Sequence, residues 1–205
     1  MRFPSLLMVC ALATAPAASS VSAQDVRVGS PAPGFTATDS RGQTQTLDQY
    51  RGKYVVLEWH NQGCPYTKKH YESGNMQSLQ KEWTAKGVEW FTVISSAPGK
   101  EGYVTPSQEN NYLAKMHASP TAVLMDPEGK LGRLYDAKTT PEIYVIDPQG
   151  KLIYEGAIDN RPTPDAGDIQ GADNYLNDAL TAAMAGRPVT TAYTRSYGCS
   201  VKYAD

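Results

Sequence analysis

The 205-residue chain is poor in cysteine: it has three, too few for the disulfide framework of a small secreted domain. It also lacks any strong excess of charge, with 19 Lys and Arg against 21 Asp and Glu and a formal net charge of −2. A dedicated nucleic-acid binder carries a basic stripe, so that class is excluded. No apolar run reaches the roughly 18 to 20 residues of a membrane-spanning helix. Neither a Ser-His-Asp order nor a paired-carboxylate signature stands out, and Pro98-Gly99-Lys100 is not a full phosphate-loop pattern. What is present is ordinary globular composition, 40% hydrophobic and 20% charged. The length suits one domain with a sizeable core.

The few cysteines divide by position. Arg2, the apolar stretch from Ser5 to Ala18, and the small-residue exit Val21-Ser22-Ala23 describe a secretory signal peptide. Residues 1–23 are read as that segment, cleaved after Ala23 and taking Cys10 with it. A lipid anchor at Cys10 is the rival, opposed by the bulky Val9; a short N-terminal helix of the domain is the other alternative. Cys64 and Cys199 then remain in an exported protein, periplasmic or secreted, in a compartment where disulfides persist.

From Gln24 to Gly34 the chain reads as an extended leader, and residues 35–47 as a short N-terminal hairpin around Ser40-Arg41-Gly42. Strands are expected over 54–59, 88–94, 121–125 and 142–146, the last with a hairpin partner at 151–155. A helix is expected over 66–86, with Gly74 weakening its middle. Thr105-Pro106-Ser107-Gln108 carries the cap, first-turn proline and capping-box glutamine of a second helix start. Asp126-Pro-Glu-Gly-Lys-Leu and Asp147-Pro-Gln-Gly-Lys-Leu read as two Pro-Gly turns. A polar loop over 159–171 precedes a closing helix at 172–185. The order gives one α/β three-layer domain over residues 24–185, and 186–205 is a C-terminal tail carrying Cys199.

Cys64 follows a hydrophobic strand and precedes Pro65, the first residue of a helix. Unpaired N–H groups and the dipole at a helix start favour an anion, hence the thiolate, the form that attacks disulfides and peroxides. A lone cysteine is more often a small buried hydrophobe; this placement favours the reactive reading. Thr139-Thr140-Pro141 stands just before the fourth strand, where proline suits an edge or a cis bond. Trp59 and Tyr66 flank Cys64 as an apolar rim or as core.

Several segments together resemble the thioredoxin-like superfamily over roughly residues 28–185: Gly34-Phe-Thr-Ala-Thr with Arg51-Gly52-Lys53, Asn61-Gln-Gly-Cys64-Pro65-Tyr66, Thr140-Pro141 and Gly156-Ala-Ile-Asp. Within it the chain looks most like the peroxiredoxin-like redoxins, relatives of alkyl hydroperoxide reductases and thiol-specific antioxidants. Residues 95–100 and Tyr197-Gly-Cys-Ser-Val-Lys-Tyr203 look like markers of a subgroup. The resemblance implies a central mixed sheet flanked by helices, Cys64 as the reactive thiol, and Pro141 as a cis-proline opposite it. It also implies that the Thr140 backbone is presented to a substrate strand. Thr67 stands where thioredoxins have a second cysteine, which removes the Cys-x-x-Cys exchange. Asn61 stands where peroxiredoxins place Thr or Ser to orient the peroxide, and an amide is a chemically possible replacement. Arg133 is the candidate for the arginine such a site needs, against a solvated surface role.

Cys64 needs a resolving thiol, from another protein, a small molecule or Cys199. A Cys64–Cys199 bond would close a loop of about 135 residues, worth roughly 4 to 5 kcal/mol in the chain-entropy estimate. The expectation is that the tail folds back to bring Cys199 near Cys64; the alternative is an unpaired residue in a mobile tail. The preferred function is a peroxiredoxin-like antioxidant oxidoreductase without cofactor or metal. Its partner would be a peroxide, a small disulfide, or a protein thiol or disulfide. The alternatives are monothiol exchange and a non-catalytic module with a structural Cys64–Cys199 disulfide. His60 and His70 lack metal-ligand spacing with Cys64: His60 reads as a polar strand end, and Lys68, Lys69 and His70 as a solvated helix face. Asp159, Asp165 and Asp168 lack the alternation of a calcium loop.

Overall fold

The computed structural model describes residues 26–204; the expected signal peptide and Cys10 lie outside the described residues. The expected hairpin forms, with β1 (Thr36–Asp39) antiparallel to β2 (Thr44–Thr46). The β-branched and aromatic run that follows becomes β3 (Val55–Trp59), buried throughout. A pleated strand sends alternate side chains to opposite faces. Val55, Leu57 and Trp59 therefore enter one core layer, while Val56 enters the other.

One helix is expected after Cys64, but two form: α1 (Pro65–Glu72) and α2 (Asn75–Ala85). Gly74 separates them at φ +77°, a left-handed conformation that breaks the helical path at low cost only for glycine. The chain continues through β4 (Glu89–Ile94), α3 (Pro106–Lys115) and β5 (Ala122–Met125). The capping box at Thr105 forms as expected, with the Gln108 side chain accepting from the Thr105 N–H at 2.8 Å. A short helix, α4 (Lys130–Leu134), then leads to the two-residue β6 (Thr139–Thr140). The hairpin of β7 (Glu142–Ile146) and β8 (Leu152–Gly156) precedes α5 (Tyr175–Met184). In the tail, Cys199–Ser200 forms β9.

Among the described residues, seven strands make one sheet in the order β2-β1-β5-β4-β3-β7-β8. β3, β4 and β5 run parallel and the remaining pairs antiparallel, so the sheet is mixed. One face packs Tyr71, Met76, Leu79, Trp83, Leu176 and Leu180 from the helices; the other packs Phe35, Leu131 and Tyr135. Parallel strands need covering on both faces, which is why β3 is buried throughout and β4 is buried from Trp90 onward. The arrangement is an α/β three-layer fold with Cys64 just beyond the carboxyl end of β3.

Candidate active site

The loop between β3 and α1 is set by Asn61. Its buried amide oxygen accepts the Gly63 N–H at 2.8 Å, and its carbonyl accepts the Cys64 N–H at 3.0 Å. The chain is thereby turned so that Cys64 caps α1, its carbonyl accepting the Lys68 N–H at 2.9 Å, with Pro65 in the first helical position. Opposite lies the cis peptide Thr140–Pro141, and the Thr140 carbonyl accepts from Cys64 Sγ at 3.0 Å. Glu142 holds this corner by accepting the Lys138 and Thr139 N–H groups at 2.6 and 2.9 Å.

The tail returns over the corner. β9 pairs antiparallel with β6, Cys199 opposite Thr140 and Ser200 opposite Thr139. The flanking Val201 N–H and Lys202 carbonyl bond Lys138 and Ala97. Both cysteines are free thiols, and Cys64 is completely buried. Their electrostatics diverge. Burial pushes the Cys64 thiol up, but hydrogen bonds from the Cys199 thiol, the Thr67 and Cys199 backbones and the Thr140 hydroxyl outweigh it, so Cys64 lies below the ordinary thiol value. Cys199 is pushed up to about 12 by burial and by its hydrogen bond to Cys64. The pair is therefore one thiolate-prone sulfur with a thiol donor beside it.

Of the residues singled out in the sequence, Cys64, Pro65, Thr140, Pro141 and Cys199 meet at this corner. Tyr66 is half-buried, its ring 5.8 Å from that of Tyr197. Trp59 is not part of a rim. The pleat turns it into the core, where it packs edge-on to Tyr144 and tilted against Tyr135 and donates to Ser95. Arg133 is exposed on α4 and engages the tail, donating to the Ala204 carbonyl at 2.5 Å with its guanidinium over the Tyr203 ring. A cleft of about 300 Å³ lined by Tyr54, Lys151 and Val189 holds neither cysteine.

Two polar clusters escape sequence reasoning. Lys69 and His70 are buried rather than solvated, because α1 turns them toward the 159–171 loop and the tail. Lys69 Nζ donates to the Arg161 carbonyl at 2.7 Å and lies 3.4 Å from Asp159. Tyr197 donates to Asp159 at 2.5 Å and sits 3.3 Å from His70 Nε2. The signal was Tyr197 itself, visible only as part of a marker motif. Behind Cys64, Glu58 accepts from Tyr71 and Trp90 at 2.9 and 2.8 Å. His60 lies between Glu58 and Glu109, 3.8 and 3.3 Å away. Burial disfavours its cation, yet Glu109, Glu58 and Cys64 raise its pKa. Period-two alternation along 56-58-60 places Glu58 and His60 on one face, but a carboxylate in a buried strand is not legible as such.

A cysteine capping the helix after a central strand, opposite a cis-proline in a mixed sheet, defines a thioredoxin-like redoxin. The chain belongs to the AhpC/TSA family, whose profile matches residues 28–155. It is similar to the Thiol-disulfide oxidoreductase ResA of Bacillus subtilis (strain 168), 26% identical over 149 residues that span 72% of this chain and 78% of that protein. It is also similar to the Probable glutathione peroxidase 8-B of Xenopus laevis, 25% identical over 134 residues; the match spans 58% of this chain and 62% of that protein, under two thirds of its length. Among solved structures, an uncharacterized conserved protein from Geobacillus kaustophilus superposes with a TM-score of 0.74 at 25% identity, over 88% of this chain and 94% of that one. No helix among the described residues is long and apolar enough to cross a membrane.

Proposed function

We propose that the protein is an exported thiol-disulfide oxidoreductase in which Cys64 attacks and Cys199 resolves. One observation carries this reading: Cys199 is the strand partner of Thr140 and hydrogen-bonds the buried, thiolate-prone Cys64. The Cys64 thiolate attacks a partner disulfide, the first partner sulfur leaves as a thiolate and takes up a proton, and a mixed disulfide remains. Cys199 then loses its proton and attacks Cys64 Sγ, and the second partner sulfur leaves as a thiol. The partner gains two electrons and the chain ends as a Cys64–Cys199 disulfide. The similarity to a protein named as a thiol-disulfide oxidoreductase supports this reading.

A peroxide substrate is the second reading, favoured by membership of the AhpC/TSA family. There Cys64 would become a sulfenic acid, and Cys199 would condense with it as water leaves. Two placements count against it: the Asn61 oxygen is committed to the Gly63 N–H, and Arg133 is committed to the tail. Reduction of a peptide disulfide and consumption of hydrogen peroxide, each measured for wild type, Cys64→Ser and Cys199→Ser, separate the readings. The expected outcome is disulfide reduction that Cys64→Ser abolishes and that Cys199→Ser arrests at a trapped mixed disulfide. Activity unchanged in Cys64→Ser would overturn both readings; peroxide turnover alone would select the second.

A further inference from the structure

We propose that residues 194–204 are a displaceable strap occupying the place of a partner's strand, so that a partner reaches Cys64 by strand exchange with the chain's own tail. This rests on the reading of Cys64 as the attacking thiol.

The strap covers what it would have to uncover. Cys64 is wholly inaccessible and Thr140 nearly so, and the short strand β6 has β9 as its pairing neighbour. With β9 lifted, β6 becomes a bare edge beside the sulfur. Such an edge pairs with any extended chain through backbone groups alone. The tail satisfies it with two residues, and its own side chains stay half-exposed or exposed, so the arrangement can be reversed.

The seat is nonetheless shaped for this segment. A Cβ at Gly198 would collide with the Thr140 carbonyl oxygen, and one at Gly132 would collide with the Tyr203 hydroxyl. Tyr203 donates to the Ala137 carbonyl at 2.6 Å, and Tyr197 donates to Asp159 at the other end. The strap thus has an anchor on each side of Cys199, and the Tyr203 anchor lies apart from the thiols. The close approach at Gly198 also specifies the partner. An incoming segment in the same register carries its cysteine where Cys199 stands, and glycine just before it. The partner is therefore an extended polypeptide with a Gly-Cys step whose cysteine is held in a disulfide. Resolution reverses the exchange: the strap returns, Cys199 takes the register, and the partner strand leaves as its sulfur is expelled.

The test reads accessibility, not turnover. In full-length Cys199→Ser, the alkylation rate of Cys64 is followed by mass spectrometry of the Cys64 peptide. The same rate is measured after adding Gly132→Ala or, separately, Tyr203→Ala. Gly132 lies in a helix, so alanine suits its backbone, and Tyr203→Ala changes the tail alone. Each added substitution is expected to speed alkylation at least about tenfold, equivalent to about 1.4 kcal/mol of lost docking. Equal rates in all three proteins would overturn the strap. Peptide disulfides with Gly-Cys and Ala-Cys steps are then compared for mixed-disulfide formation with Cys64 in Cys199→Ser. Faster capture of Gly-Cys supports the register, and equal capture overturns it. Faster alkylation in a protein that reduces no disulfide would remove the oxidoreductase reading while upholding the strap as a cover.

Discussion

At the residue scale, the two cysteines are made unequal by what donates to each. Cys64 is deeply buried, and burial alone would leave it a poor nucleophile. The helix start at Thr67 and the backbone and thiol of Cys199 reverse that. Cys199 holds its proton up to about 12, so while the tail is docked it acts as a donor to Cys64. Hydrogen bonds to charged groups contribute about 1.5–3 kcal/mol each. Cys199→Ala should therefore raise the Cys64 pKa, whereas Cys199→Ser should raise it less, because a hydroxyl still donates. Ultraviolet thiolate absorbance followed through a pH titration reads this directly, and a Cys64 pKa unmoved by Cys199→Ala would show that α1 and Thr140 suffice.

At the scale of elements, the sequence was clearest where local chemistry and burial agree. Val55–Trp59 and the Thr105 capping box are examples, each determined by residues adjacent in the chain. It was least clear where one residue decides between two paths. Gly74 reads as a weak point within a helix, but its left-handed φ makes it a break. The near-identical Asp126 and Asp147 turns diverge for a similar reason. Both close a Pro-Gly turn, yet the first opens α4 and the second a hairpin, and the residues beyond each turn decide. Cys64 and Pro141 were legible as candidate-site residues because a strand-helix junction and a Thr-Pro step are local signals. Lys69, His70 and Asp159 were not, since their burial depends on Tyr197 of the tail, 38 residues after Asp159 in sequence. Space around a Cβ at Gly74 is open, so Gly74→Ala isolates the backbone cost, about 1–2 kcal/mol. Urea unfolding should show that loss, with Gly74→Asn losing less. A neutral Gly74→Ala would mean that α1 and α2 can join.

At the scale of the molecule, the strap links the two layers across the carboxyl end of β3. Tyr197 is fixed among α1 residues on one side of the sheet, and Tyr203 against α4 on the other. Two titrating groups beside this segment have opposite senses. Burial lowers His70 from 6.5 to about 4, with Asp159 opposing and Lys69 assisting. Between those values the unfolded chain binds more protons, so stability from His70 falls as pH falls. Burial, with Glu142 and Asp136, raises Glu155 from 4.5 to about 7, and Glu155 exchanges backbone hydrogen bonds with Ala192 and Thr194 of the tail. There the folded chain binds more protons, so stability falls as pH rises. The two windows overlap between 4.5 and 6.5, where their slopes offset one another. Urea unfolding across pH for wild type, His70→Asn and Glu155→Gln separates them. Relative to wild type, Glu155→Gln should gain stability as pH rises from 4.5 to 7. His70→Asn should gain as pH falls from 6.5 to 4, by up to about 3 kcal/mol. Curves that stay parallel to wild type throughout would place both groups in solvent and detach the strap from the protonation of its seat.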